Sequence, residues 1–137
     1  MRKISLILML CIMLSFATGV IASADDYGIM PCYNNVNGVD CDFEISNGTA
    51  NAIVIYNGYA GVTSKVTAHV LIEKRALLGL IWNDVEEWTV TSTNYSDAFS
   101  FDTQVGKGTY RCTFEVVFEG SGGSSDVITD EITVKYS

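Results

Sequence analysis

Tyr110, Cys112, Phe114, Val116 and Phe118 alternate with Arg111, Thr113, Glu115 and Glu119. A period of two sends successive side chains to opposite faces, so this stretch can bury one face and wet the other only as a β-strand. The pattern recurs along the chain. Val39, Cys41, Phe43 and Ile45 alternate with Asp40, Asp42, Glu44 and Ser46, and Val66, Ala68, Val70 and Ile72 alternate with Lys65, Thr67, His69 and Leu71. Ala50 to Tyr56 is a nearly continuous apolar run. Val85 to Val90, Phe99 with Phe101, and Ile128, Ile132, Val134 and Tyr136 mark three more strands, with an irregularity expected near Asp130. Asn47-Gly48, Asn57-Gly58 and Gly120 to Ser125 supply turns between them. About seven short strands with a turn signal every ten or so residues predict an all-β antiparallel sandwich.

The first residues follow a different rule. Arg2-Lys3 precedes an apolar stretch from Ile4 to Ile21, and Ala22-Ser23-Ala24 has the small-x-small form of a cleavage site. Residues 1–24 therefore read as a cleaved signal peptide, and residues 25–137 as one secreted β-sandwich domain, extracellular or associated with the cell surface. Cleavage removes two of the eight basic residues and none of the 16 acidic ones, for a net charge of −10. Such an average surface repels nucleic acid and anionic lipid and favours solubility.

Cys11 leaves with the signal, and Cys32, Cys41 and Cys112 remain. An odd number allows one internal disulfide at most. Cys32 and Cys41 flank the turn dipeptide Asn37-Gly38, while a Cys41–Cys112 bridge would staple two sheets; both pairings stay open, as does a fully reduced chain.

Chemistry is sparse. The single histidine, His69, falls on the outward parity of its strand, and no nucleophile elbow is present. Asp84 with Glu86, and Asp40 with Asp42 and Glu44, share faces of their strands, but hydrolysis needs one carboxylate in an apolar pocket and alternating acids normally make a wet face. Asp126, Asp130 and Glu131 beside a glycine-rich loop, and the compact Asp40-x-Asp42, are the candidates for calcium, without an EF-hand pattern. No enzyme and no cofactor is expected. Trp82 and Trp88 lie six apart, which in a regular strand sets both on one face, the arrangement of a glycan-stacking platform. That face would also carry Asp84 and Glu86, so a bulge is the alternative.

Gly108-Thr109-Tyr110-Arg111-Cys112 has the Y-x-C form of an immunoglobulin-like sixth strand, where the tyrosine hydroxyl bonds back to the preceding corner. Trp82 lies far beyond the tryptophan spacing of antibody domains, so the motif indicates a tyrosine-corner sandwich of immunoglobulin-like type. Together with Tyr33-x-x-Val36-Asn37, Tyr56-Asn57-Gly58-Tyr59-Ala60-Gly61, Val70-Leu71-Ile72-Glu73-Lys74 and Trp82-x-x-Val85-x-x-Trp88, this order resembles a family of small exported proteins of Gram-positive, clostridial-type bacteria. The resemblance implies a β-sandwich and carries no catalytic or binding residues. The chain departs from that family in its cysteine placement and in Ala76 to Ile81, where the family has a polar Gly/Ser turn.

That departure is the segment Glu73-Lys74-Arg75-Ala76-Leu77-Leu78-Gly79-Leu80-Ile81-Trp82. Six apolar or glycine residues fall far short of the roughly 20 that a spanning helix needs. A hairpin is expected, with Val66 to Glu73 leading in, Leu80 to Val90 leading out and Gly79 allowing the turn. Leu77, Leu78, Leu80, Trp82 and Trp88 are therefore the candidate contacts for a partner, and the expected function is a non-catalytic binding or structural module with a protein or glycan ligand. The alternative is a membrane-active or bacteriocin-like effector that uses the same tip.

Overall fold

A computed structural model describes residues 33–137; residues 1–24, expected to be a signal peptide, and Cys32 lie outside the described residues. Seven antiparallel strands form two sheets: β1 (Val36–Ser46), β2 (Thr49–Gly58), β3 (Thr63–Ala76), β4 (Ile81–Ser92), β5 (Ser96–Gln104), β6 (Gly108–Gly120) and β7 (Ser125–Tyr136). The sheet orders are β1-β2-β5 and β4-β3-β6-β7, an all-β sandwich.

The core lies between the sheets and is built by the period-two residues. Ala50, Ala52, Val54 and Tyr56 of β2 face Val66, Ala68, Val70 and Ile72 of β3 and Tyr110, Cys112, Phe114, Val116 and Phe118 of β6, all fully or almost fully buried. These three strands are flanked on both sides within their sheets, so their inner faces see no water. Each Val or Phe withdrawn from water contributes about 1.5–3 kcal/mol. The flanking strands supply half-buried residues such as Ile45, Phe99, Val90 and Ile132. Tyr56 packs edge-on against Phe118 with ring centres 5.9 Å apart, and Trp88 stacks on Phe101 at 5.3 Å.

The apolar run of β2 resolves into the same alternation, since Ile55 between Val54 and Tyr56 is half exposed. The expected irregularity in β7 is absent: its pairing with β6 runs in unbroken register through Asp130, opposite Phe114. The residue is a solvated acid set on the inward parity of a strand at the sheet edge, a placement that discourages further strand pairing.

Two polar devices close the ends of the sandwich. The Tyr110 hydroxyl donates to the Gly106 carbonyl at 2.8 Å, which pins the β5–β6 loop beneath β6 as the Y-x-C motif predicts. At the other end Asn35 is buried. Its side-chain amide donates to the Ser124 carbonyl at 3.3 Å, and its backbone carbonyl accepts from the Thr63 hydroxyl. Asp126 accepts the backbone N–H groups of Asn34 and Asn35 at 2.9 and 2.6 Å. Gly58 is required here, because a Cβ would overlap the Thr63 hydroxyl and come within 2.8 Å of its Cβ.

Candidate functional site

The β3–β4 connection is the site that stands out. Leu77–Gly79 forms a single 3-10 turn closed by the Leu80 N–H donating to the Leu77 carbonyl at 3.2 Å. Three consecutive residues have left-handed backbones: Leu77 at φ 47°, Leu78 at φ 57° and Gly79 at φ 86°. Only glycine adopts that region without a steric penalty, so the two leucines are held there against their preference. The Arg75 guanidinium Nε crosses the loop and donates to the Gly79 carbonyl at 3.1 Å. The strain is not offset by burial: Leu77, Leu78 and Leu80 are 67%, 104% and 82% exposed, and Ile81 is exposed as well. The expected hairpin is present, and its leucines point into solvent.

Trp82 sits below this tip on the outer face of the four-stranded sheet. It pairs with Arg75 across the ladder, and the guanidinium carbons of Arg111 and Arg75 lie 4.5 and 5.8 Å from its ring centre. Arg111 is itself clamped, its Nε and one Nη donating to the same Glu73 carboxylate oxygen at 2.7 and 2.6 Å. A cation held over an indole face is stabilised by the ring quadrupole. The result is a braced outer surface directly behind the apolar tip.

Trp88 does not join it. The β3–β4 register shifts between Ile72 and Glu73, which pair with Glu86 and Asp84. Val85 is therefore an extra residue, a β-bulge, and the strand parity inverts across it. Trp88 opposes buried Val70 and faces the core, whereas Trp82 opposes exposed Arg75. The two-tryptophan platform expected from a regular strand is replaced by two aromatics on opposite faces, with Val85 exposed between them.

The other candidates are dispersed. His69 lies on the outer face with its Nδ1 2.8 Å from the Thr89 hydroxyl, in a shallow depression shared with Leu71, Glu87, Thr113 and Glu115. Among the described residues no three His, Cys, Asp or Glu side chains converge as metal ligands. The calcium candidates are used otherwise or spread apart: Asp126 receives two backbone N–H groups, Glu131 lies 3.6 Å from Arg111, and Asp130 is solvated. Cys41 and Cys112 are free thiols, so the Cys41–Cys112 bridge is not formed. Burial above all pushes their pKa values up to about 11 and about 12, with Asp130 and Asp40 adding to Cys41 and the Cys41 thiol adding to Cys112.

Among the described residues no helix is long and apolar enough to cross a membrane. No family model and no curated protein matches this chain.

Proposed function

We propose that this is a secreted, non-catalytic binding module of immunoglobulin-like build, working at or outside the cell surface and docking through the β3–β4 tip. The observation that carries the reading is the tip itself: three exposed leucines on a loop whose backbone is strained to hold them out. Clustered exposed apolar side chains on a small domain mark contact surfaces, and strain kept at such a place marks a conformation retained for use. The Tyr110 corner supports the immunoglobulin-like assignment, with β4 paired to β3 instead of to the β1-β2-β5 sheet. The likeness to small exported clostridial-type proteins belongs to the same proposal.

The test is retention on cell envelopes. The protein and its Leu77→Ser/Leu78→Ser/Leu80→Ser variant are incubated with envelopes of the producing cells and washed. Retention of the wild type and loss of the variant is the expected result. Equal retention of both, or of neither, overturns docking through the tip.

A further inference from the structure

The charges of the described residues are sorted by position along the sandwich. Tyr110 pairs with Lys74 on one side, and Thr109 pairs with Lys135 on the other. The Tyr110 hydroxyl holds Gly106, the neighbour of Lys107, at the same end. The end that bears the leucines therefore carries Lys74, Arg75, Lys107 and Lys135. Its segments, residues 45–50, 74–83, 103–110 and 134–137, contain no aspartate or glutamate at all. None of those four cations makes a salt bridge among the described residues. The two remaining described cations, Lys65 and Arg111, are ion-paired, with Glu119 and with Glu73. Of the 14 described acids, Glu44, Glu73, Asp84 and Asp102 border those segments, with Glu73 already paired to Arg111, and the other ten lie farther along the body of the domain.

We infer that the tip is an interfacial membrane anchor: Leu77, Leu78 and Leu80 insert into a bilayer whose anionic headgroups meet Lys74, Arg75, Lys107 and Lys135. This deepens the docking reading above and rests on it. Three features select lipid over a protein groove. The leucines project from a convex tip, which suits a fluid surface that closes around them. The cations lie at the same end behind the apolar tip, the order in which a bilayer presents headgroup and acyl chain. Trp82 stands just behind, at the level where indole rings settle in membrane interfaces. The acidic body does not oppose this, because β3 is 14 residues long and the strand rise of about 3.3 Å carries most acids beyond a Debye length of about 10 Å from the headgroups. The insertion is shallow, since the loop between β3 and β4 is four residues and a spanning strand needs about 9–11.

The experiment is co-sedimentation with vesicles of phosphatidylcholine alone or with one third phosphatidylglycerol, at low and high salt. The wild type should bind the anionic vesicles, about tenfold more weakly without phosphatidylglycerol or at high salt. Leu77→Ser/Leu78→Ser/Leu80→Ser should lose about tenfold or more on both. Lys74→Gln/Lys107→Gln should lose affinity for the anionic vesicles only. Thermal unfolding verifies that each variant is folded, and Leu78→Asn alone serves if the triple variant is not. Absence of vesicle binding by the wild type, or equal binding by the leucine variant, overturns the inference. If envelope retention still depends on the leucines in that case, docking stands and the lipid assignment falls. If retention is also independent of them, both fall. Concentration-dependent self-association that the leucine variant abolishes, without vesicle binding, assigns the tip to a second copy and likewise overturns the inference.

Discussion

Replacing a leucine by asparagine should stabilise this protein at position 78. Leu78 has φ 57° and ψ 27°, inside the left-handed region. For a side chain with a Cβ that region costs about 1–2 kcal/mol, and asparagine is among the residues that tolerate it best. Leu78 is fully exposed, so no packing is lost with its side chain. The usual penalty for truncating a buried leucine, about 2–5 kcal/mol, therefore does not apply. A net gain of about 1 kcal/mol remains, which for a domain of this size raises Tm by about 4–8 °C. Leu80 provides the control: it is 82% exposed in the same loop but has an ordinary φ of −87°. Leu80→Asn should leave Tm unchanged to within about 0.5 kcal/mol. Differential scanning calorimetry of the three proteins decides. If Leu78→Asn lowers Tm or leaves it unchanged, or if Leu80→Asn raises it equally, the strain argument is refuted. The same Leu78→Asn protein should bind its docking surface less well, so stability and binding move in opposite directions.

Further outcomes follow from the core and its braces. Tyr110→Phe keeps the buried ring but removes the donor to Gly106, and chemical denaturation should register a loss of about 1–2 kcal/mol. Arg111→Gln strips the nearly buried Glu73 carboxylate of its two charged donors; a loss of about 1.5–3 kcal/mol in urea melts is expected, with Glu73→Gln/Arg111→Gln recovering part of it. Cys41 and Cys112, with pKa values of about 11 and about 12, stay protonated in the folded protein where an unfolded thiol, near 9, already ionises. Their contribution to stability is complete below pH 9 and falls as the pH rises toward 11–12, so Tm should drop across that window, and the drop should shrink in Cys112→Ala. At pH 8 an alkylating reagent should label buried Cys112 only after unfolding, and half-buried Cys41 more slowly in the folded protein than in the unfolded one.

The strands were legible because period-two alternation is a local property that each buried face must satisfy. Residues 110–118 and 66–72 announce their inner faces without knowledge of any neighbour. The hairpin tip was legible for the opposite reason: Ala76 to Ile81 breaks the alternation, and Gly79 marks the turn. What stayed hidden depends on pairing register. Nothing in Trp82 to Trp88 says that Val85 is surplus; the bulge exists only relative to Ile72 and Glu73 on β3. Asp126 looks like any surface acid until the segment at Asn34 and Asn35, some ninety residues earlier, is laid against it. The cationic end was concealed in the same way. Lys74, Lys107 and Lys135 are scattered in sequence and within an acidic average, and only the ladders around Tyr110 bring them together.

The Val85 bulge has a consequence for how such a domain can diversify. By absorbing one residue it makes β4 two half-strands with independent duties: the half ending at Trp88 and Val90 answers to the core, and the half beginning at Ile81 and Trp82 answers to whatever the tip meets. Substitutions above the bulge at Ile81, Asn83 and Asp84 can accumulate with little effect on folding, because those side chains are exposed. Deleting Val85 would leave Glu86 opposite Ile72 and Asp84 opposite Glu73 in an unbroken ladder with Trp82 still outward, whereas drawing Val85 into the ladder would turn Trp82 toward the interior and carry Asn83 outward. The looping-out of one residue, not its presence in the chain, thus separates a presented tryptophan from a swallowed one, and it does so below the leucines of the tip.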